Sequence, residues 1–471
     1  MKKNLKISEF TFIGMTCALV MSIRNIPDVA ATGWTMLSFM LIAVIFYALP
    51  ISMIAGEYSG MYPGETGGME AWNSNALSSK WGFVTSWLLW VQMFPGMVMI
   101  SSALSPLIAI VVGKPELGQN NMFTFVTIII VYWFVTLLNF KFDMAKIGGQ
   151  IGVWLGVYIP MIAMLLLGIV ATIKVGLMPN SVLGQFEAAK LIPDTADLKV
   201  FQYLAPIMFI FTGIEMSAVH ANRLKDPVKG FFKGLMIALV FIFILNIGNA
   251  IMVSNIVPAG KMELDNIAQS IALYCKVLGI PTIMVNIFSL MVIMGVLVQL
   301  SAWSVGPSMT ITSSARRGLY PPKFNFWKTN SHGISTSVVL TQAVIISIFA
   351  GFYLLIPGVN NAFLMLVNAT SVLYSTAYVI MAIGIIELRE KSPDLDRPFS
   401  LGSNTRAKFI VGVLLFAIVG SIILTLVYSS MYNAIAVIVI SLVLFTIPFI
   451  INKQVKPEWK TKVDQYLSNA K

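Results

Sequence analysis

A single carboxylate lies in the middle of a strongly apolar stretch, where it could bind a cation at membrane depth. Glu215 follows Gly213 and Ile214 in the segment GIEMSAVHANRLKDP (213–227). A charged side chain at the bilayer centre costs about 2.5–3.5 kcal/mol, and a glycine costs a helix about 1 kcal/mol relative to alanine. Together they predict a helix that is interrupted so that its backbone can bind a small polar solute. Glu215 would bind a substrate ammonium, carry a proton, or only accept hydrogen bonds from the loosened backbone.

A second interrupted stretch, MSIRNIPDVAATG (21–33), contains Arg24, a basic residue within the first predicted span. An arginine within a membrane span usually indicates function. Arg24 would therefore be a fixed positive charge near the substrate, or the partner of a buried carboxylate. The alternative is an arginine at the outer end of the span that reaches the interface or pairs with Asp28, four residues further on.

The residues just before Arg24 favour binding of an anion. Met21, Ser22 and Ile23 would form the unwound part of this span. The half-helix that follows them would offer free N–H groups and the positive end of its dipole, and both suit a carboxylate. The alternative is an ordinary helix with Pro27 near its end.

Three further side chains have the chemistry to recognise a solute. Gln299 and Trp303 are one helical turn apart and share a face, so they could select a substrate by hydrogen bonding and stacking. Packing within the core is the alternative for this pair. His220, beside a basic loop, could respond to cytoplasmic pH, or could simply be a partly solvated loop histidine.

Enzyme chemistry is not indicated. The sequence contains no nucleophile–base constellation, no Walker motif and no spacing of metal ligands, so we expect neither catalytic residues nor a metal or cofactor. GETGG (64–68) has the glycines of a phosphate loop but not its lysine. Cys17, in the first span, and Cys275, in a predicted loop, form no disulfide framework.

The elements that must position these residues are membrane helices. The chain of 471 residues is 57% hydrophobic and 11% charged, whereas soluble domains carry about 25% charged residues. Twelve apolar stretches are each long enough to cross a bilayer. Their approximate bounds are 8–27, 34–60, 81–112, 121–141, 149–176, 200–221, 231–257, 281–312, 334–356, 360–388, 407–429 and 431–452.

The distribution of positive charge predicts the orientation. Most Lys and Arg residues lie in the two terminal segments and in the loops after even-numbered spans. The positive-inside rule therefore places both termini in the cytoplasm. This asymmetry also accounts for the net charge of +11 without a nucleic-acid partner, and the cationic segments would contact anionic lipid.

The two interrupted spans, the first and the sixth, are five spans apart. Such a pattern predicts an inverted repeat with the binding site between the broken helices. The repeats would cover about 8–176 and 200–388, followed by two extra helices at about 407–452. A single transporter domain would thus span 1–452, with a basic cytoplasmic tail at 453–471.

Several motifs resemble those of the amino acid–polyamine–organocation superfamily, and most closely its glutamate/GABA antiporter branch of amino acid/amine exchangers. They are GEYSGMYPGETGGMEAW (56–72), the 213–227 segment, AWSVGPSMTITSSARRGLYPP (302–322), RNIPDVAATG (24–33) and KSPDLDRPF (391–399). The resemblance covers nearly the whole chain. It implies a LeuT-like, five-plus-five inverted-repeat fold with helices 1 and 6 broken, working by alternating access.

The resemblance also implies roles for individual residues. The backbone at Met21, Ser22 and Ile23 would hold the substrate carboxylate, and the carbonyls of Gly213 and Ile214 would hold its ammonium. Phe209 would act as a gate on span 6. Two further implied site residues are Trp303 and Ser371.

We therefore expect an antiporter in a bacterial cytoplasmic membrane that imports an amino acid and exports its decarboxylated amine, for example tyrosine and tyramine. The amine would come from a cytosolic decarboxylase, and the cycle would support acid resistance or energy supply. A proton-coupled amino acid symporter of the same fold is the main alternative, and a glutamate/GABA exchanger is another.

Overall fold

The computed structural model describes residues 8–62, 68–142, 154–193, 198–217, 224–226, 229–330 and 333–469. Within these residues the regular structure is helical, and strand-like pairing appears only as isolated bridge residues, such as Ser181 with Pro258. This confirms the predicted all-α class.

Twenty α-helices lie within the described residues, most of them joined by short connections. The first ten α-helices are α1 (Glu9–Val20), α2 (Ile26–Ala30), α3 (Met36–Ile42), α4 (Leu49–Met61), α5 (Met69–Ala76), α6 (Ser79–Val91), α7 (Met93–Ser102), α8 (Leu104–Val111), α9 (Asn121–Lys141) and α10 (Ile159–Val175). The other ten are α11 (Leu204–Phe209), α12 (Lys229–Ile256), α13 (Ala268–Leu278), α14 (Ile283–Arg316), α15 (Thr336–Ala350), α16 (Phe352–Leu355), α17 (Val359–Lys391), α18 (Asn404–Tyr428), α19 (Met431–Lys453) and α20 (Pro457–Asn469). A π-helical stretch, Ala43–Ala48, joins α3 to α4, and another, Trp154–Tyr158, leads into α10.

Eleven helical stretches among the described residues are long and apolar enough to cross a membrane. They correspond to the second through twelfth predicted spans, so the chain is a multi-pass membrane protein. The first predicted span, 8–27, is instead divided between α1 and α2, with non-helical residues between them. Neither piece reaches the roughly 20 residues that a continuous spanning helix needs.

The chain divides into two compact units. The first comprises Met1–Thr85, Leu177–Gly260 and Tyr374–Met431. Within it, α12 packs along both pieces of the interrupted first span, α1 and α2. The hydroxyl of Ser254 on α12 donates a hydrogen bond to the carbonyl of Ala30, at the end of α2. The short α2 helix is therefore held by tertiary packing, because five residues are too few for an independently stable helix.

The second unit comprises Ser86–Gly176, Lys261–Leu373 and Tyr432–Lys471. Its longest helix, α14, packs against α7, α8 and α9. Gly295 of α14 lies directly against Gly156, so a Cβ on either residue would collide with the backbone of the other. Small residues of this kind allow membrane helices to approach closely.

One loop prediction was wrong. Cys275 lies in α13 and is buried, because the stretch between the seventh and eighth spans forms an additional helix that packs against α10 and α14. Burial raises the pKa of the Cys275 thiol, so the thiol stays protonated near neutral pH.

Candidate functional site

The first span is interrupted at the residues where the sequence predicts a break. Met21 and Ser22 have extended backbone conformations after α1 ends at Val20. A single 3-10 turn, Ile23–Asn25, then leads into α2, whose second residue is Pro27. Proline at this position suits a helix start, because its missing N–H would have no helical partner there. The backbone thus leaves the helical conformation between two short helices, as a binding site at the end of a half-helix requires.

This break buries two opposite charges. Arg24 is 6% exposed and Asp28 is 4% exposed, and the two interact electrostatically. Arg24 Nε donates to Ser22 Oγ over a long 3.4 Å. Arg24 Nη1 and Asp28 Oδ1 are buried without a hydrogen-bond partner among the described residues. Arg24 lies buried beside Asp28, which fits the alternative in which these two residues pair structurally. One strong donor and one strong acceptor of the pair stay without a hydrogen-bond partner among the described residues.

The sixth span is interrupted after α11, which ends at Phe209. The chain turns at Gly213, whose φ of +93° is strained for any residue with a side chain. Residues 214–217 then form a 3-10 turn. Phe209 itself is half-buried at this junction.

The backbone groups predicted to bind an ammonium already have partners. The Gly213 carbonyl accepts the N–H of Met216 at 3.0 Å, and the Ile214 carbonyl accepts the hydroxyl of Ser217 at 2.8 Å. A carbonyl oxygen has two lone pairs, so each retains one acceptor position. Their role toward a substrate stays a prediction.

Glu215 is 3% exposed and is bound by two tyrosines. The Tyr374 hydroxyl donates to Oε1 at 3.0 Å, and the Tyr378 hydroxyl donates to Oε2 at 2.5 Å. Tyr378 also accepts the N–H of Gly213 at 2.9 Å. This arrangement supports the sequence alternative in which Glu215 stabilises the break, because its carboxylate connects the turn to α17.

Sequence reasoning missed these tyrosines. Tyr374 and Tyr378 are four residues apart, so they share one face of α17, and that spacing in an apolar helix is the signal that could have identified them. A third tyrosine, Tyr47, packs edge-on against Tyr378 with ring centroids 5.7 Å apart. Its hydroxyl lies 3.2 Å from that of Thr212.

Three predicted site residues belong to the second unit. Gln299 and Trp303 lie one turn apart on α14, as predicted, and both are half-buried. Ser371 is buried, and its hydroxyl donates to the Val367 carbonyl within the same helix. Asn368, one turn earlier, was not predicted, yet both of its amide atoms are buried without a partner among the described residues. The sequence signal that could have identified Asn368 is a polar amide side chain within an apolar helix.

A buried ion pair in the first unit was also missed. Glu57 is completely buried and accepts from Arg389 at 2.6 Å (Nε to Oε1) and 2.8 Å (Nη2 to Oε2). Its Oε2 also accepts the N–H of Leu401 at 2.6 Å. Arg389 was assigned to a loop, but α17 continues to Lys391 and includes it. Arg389, like Arg24, is thus a basic residue that the fold buries.

The remaining predicted residue, His220, lies outside the described residues. Among those that are described, no cluster of three or more His, Cys, Asp or Glu side chains could hold a metal ion.

A family model and several known proteins match this chain along almost its full length. A family model described as amino acid permease matches residues 7–463. An uncharacterized transporter of Legionella pneumophila is 28% identical, with 88% of this chain and 87% of that protein aligned. A glutamate/gamma-aminobutyrate antiporter of Lactococcus lactis is 25% identical over 86% of this chain and 80% of its own. A protein of the same species named a probable agmatine/putrescine antiporter is 23% identical over 89% and 88%.

Proposed function

Because this chain belongs to the amino acid permease family, we propose that it is an antiporter that exchanges an external amino acid for its decarboxylated amine by alternating access. Two similar proteins are named as antiporters, one for glutamate and gamma-aminobutyrate and one, named as probable, for agmatine and putrescine. In the first of these pairs, the second solute is the decarboxylation product of the first. The family and these similar proteins support amino acid transport across a membrane. The exchange of an amino acid for its amine is our own proposal.

The observation that carries the proposal is the pair of unused polar atoms at the first break. An amino acid is a zwitterion, so it needs a donor for its carboxylate and an acceptor for its ammonium. Arg24 Nη1 and Asp28 Oδ1 supply one of each, and both are buried without a partner. A buried polar atom without a hydrogen-bond partner is costly and uncommon, and a bound ligand is one way to satisfy it. We propose that the substrate pairs with both.

This arrangement also bears on the choice of substrate pair. An amine such as tyramine has no carboxylate, so it would leave the Arg24 guanidinium unpaired, whereas gamma-aminobutyrate keeps one carboxylate. The tyrosine/tyramine pair suits the uncharged Gln299, while the buried Arg24 favours a glutamate/GABA pair. Both pairs belong in the first substrate panel.

A proton-coupled amino acid symporter is the second candidate. It is favoured by the buried carboxylate of Glu215, because a carboxylate at membrane depth is a common proton carrier. Two tyrosine hydroxyls already bind Glu215, so protonation would have to rearrange that cluster. Under this candidate, Glu215→Gln would abolish proton-driven uptake, while solute exchange would continue.

The cellular setting follows from the exchange. We propose a bacterial cytoplasmic membrane with both termini in the cytoplasm, and a cytosolic decarboxylase that supplies the amine. Decarboxylation consumes a proton, so the cycle would support acid resistance. A decarboxylase gene beside the gene for this chain would support the link.

Counterflow in proteoliposomes tests the proposal. Vesicles are loaded with unlabelled tyramine, gamma-aminobutyrate, agmatine or their parent amino acids, and uptake of each labelled amino acid is followed. Uptake that requires one matched amino acid–amine pair inside and outside is the expected result. Equal uptake into empty vesicles under an imposed proton gradient would instead establish symport.

A further inference from the structure

Two asparagines near the middle of α12 bury amide oxygens that have no partner. Asn246 and Asn249 are both 0% exposed. Each amide nitrogen donates to the carbonyl four residues earlier, at 2.8 Å to Ile242 and at 2.9 Å to Leu245. A carbonyl can only accept, so these bonds fix which amide atom is the nitrogen. Oδ1 of each asparagine is left buried without a hydrogen-bond partner among the described residues, which is costly unless a ligand donates to it.

The helix that carries these asparagines contacts the first span on both sides of its break. A Cβ on Gly234 would meet the ring of Phe12 in α1. Further along α12, the Ser254 hydroxyl donates to the carbonyl of Ala30 at the end of α2. The two contacts follow the same order in both segments, so α12 runs in the same direction as the first span and alongside its break.

The rise of each backbone conformation gives the register between these two contacts. From the first contact, Asn246 lies roughly 18 Å and Asn249 roughly 23 Å further along α12. From the same contact, the rest of α1 and the two extended residues after it cover roughly 19 Å and end at Ser22. Arg24 follows about 4 Å later in the 3-10 turn. The two amide oxygens therefore lie at the level of the break.

A third unused acceptor belongs to the same break, since Asp28 Oδ1 is also buried without a partner among the described residues. An alkylammonium carries three N–H donors and no acceptor, so three acceptors satisfy it completely. Arg24 Nη1 remains for a carboxylate. The charges of Arg24, Asp28 and a zwitterionic solute sum to zero, as burial requires.

We propose that Asn246 and Asn249, together with Asp28, bind the ammonium of the transported solute. This assignment rests on the proposed transport of amino acids and amines, and it names the residues that select a primary amine. Each N–H of the ammonium meets one of the three buried oxygens. A trimethylammonium group has no N–H and leaves all three oxygens unsatisfied, so the site rejects it.

The test measures equilibrium binding to the full-length protein in detergent and follows the unfolding temperature in parallel. The probes are tyrosine, tyramine, glutamate and gamma-aminobutyrate, each compared with its trimethylammonium form. The test variants are Asn246→Leu and Asn249→Leu, which keep the size of the side chain and remove the amide oxygen. Asn255→Leu is the matched control, because Asn255 is a buried residue of the same helix whose Oδ1 already accepts the N–H of Met178 at 2.9 Å.

We expect the wild-type protein to bind the ammonium form of its solutes far more tightly than the trimethylammonium form. Each test variant should bind the ammonium forms about 10- to 100-fold more weakly, since a hydrogen bond to a charged group contributes that much. The amino acid and its amine should lose affinity alike, because both carry the ammonium, and binding of the trimethylammonium forms should not change. The control should lower the unfolding temperature and leave the affinity unchanged.

Equal binding of the ammonium and trimethylammonium forms by the wild-type protein would overturn the assignment, and this comparison needs no variant to fold. Unchanged affinity in both test variants, or a loss confined to the amino acid, would also overturn it. Stabilisation by sodium chloride but not by potassium chloride, abolished in the test variants, would make the oxygens a sodium site instead. Failure of the proposed function is a separate result: binding that depends on Asn246 without counterflow would overturn antiport and leave the ammonium site standing.

Discussion

Two of the places where the described residues of the first unit bury opposite charges differ in how completely those charges are paired. Glu57 and Arg389 meet through two hydrogen bonds, and Arg389 Nη1 donates further to the carbonyl of Gly402 and the side chain of Asn404, both at 3.0 Å. Arg24 and Asp28 are about as deeply buried, yet each retains an unpartnered polar atom.

This difference distinguishes charges that stabilise the fold from charges that remain available to bind a ligand. Removing one member of a saturated buried pair strands the other, which costs about 3–5 kcal/mol. An unsaturated pair has already incurred part of that cost in the folded state. Stability should therefore depend on Glu57 and Arg389, and binding on Arg24 and Asp28.

The largest expected effect comes from breaking the saturated pair. Glu57→Gln should lower the free energy of unfolding by about 3–5 kcal/mol, because the Arg389 guanidinium then stays buried without a counter-charge. Thermal unfolding in detergent measures it. Glu187→Gln serves as control, since Glu187 pairs with Lys190 on the surface and exposed pairs contribute at most about 1 kcal/mol. Similar small losses in both variants would contradict the comparison.

The next effect is on binding. Arg24→Gln should weaken amino acid binding roughly 10- to 100-fold, because a charge-assisted hydrogen bond contributes about 1.5–3 kcal/mol. Its unfolding temperature should fall less than that of Glu57→Gln, because the Arg24–Asp28 pair is incompletely hydrogen-bonded in the folded state. An amine without a carboxylate should be affected far less. Measuring the binding of both solutes checks this prediction. Asp28→Asn should weaken the binding of both solutes alike. An unchanged amino acid affinity in Arg24→Gln would remove Arg24 from the site.

An intermediate effect is expected at Glu215, which is buried and paired only with neutral donors. Tyr378→Phe removes hydrogen bonds to both Glu215 and the Gly213 N–H, so it should destabilise the protein by about 1.5–3 kcal/mol. Tyr374→Phe removes one longer bond to Glu215 and should cost less. If thermal unfolding ranks the two variants in the opposite order, the hydrogen-bonded connection is assigned wrongly.

The smallest effect concerns the turn itself. Gly213→Ala should destabilise the protein by about 1–2 kcal/mol, because an L-residue is strained at a φ of +93°. Gly14→Ala is the matched control, since Gly14 lies inside α1 with open space around it and alanine favours a helix by about 1 kcal/mol. The two substitutions should shift the unfolding temperature in opposite directions. Shifts of the same sign would show that strain at Gly213 does not matter.

Much of the fold could be predicted because membrane helices are governed by local composition. The apolar runs correspond to helices along the whole described chain, and Gly213 and Pro27 marked the two interruptions. The burial of Cys275 could not be predicted, because a short amphipathic helix resembles a loop when its covering partners are unknown. Arg389 was missed because it lies only one residue beyond the apolar run.

The candidate site was less predictable. The sequence identified Arg24 and Glu215 as costly charges, yet it left open which of them is already paired. The partners of Glu215, Tyr374 and Tyr378, are about 160 residues away along the chain. No local pattern encodes a contact over that distance.

The sequence by itself determined that the chain crosses a membrane many times, where its helices are interrupted and which family it resembles, because hydropathy, glycine, proline and charge act locally. Only the tertiary structure decided which buried charges are satisfied. Glu57 is neutralised by Arg389 and Glu215 is bound by two phenols, while Arg24 and Asp28 keep unused atoms. Pairing depends on distances between segments remote in the chain, and those distances exist only after packing.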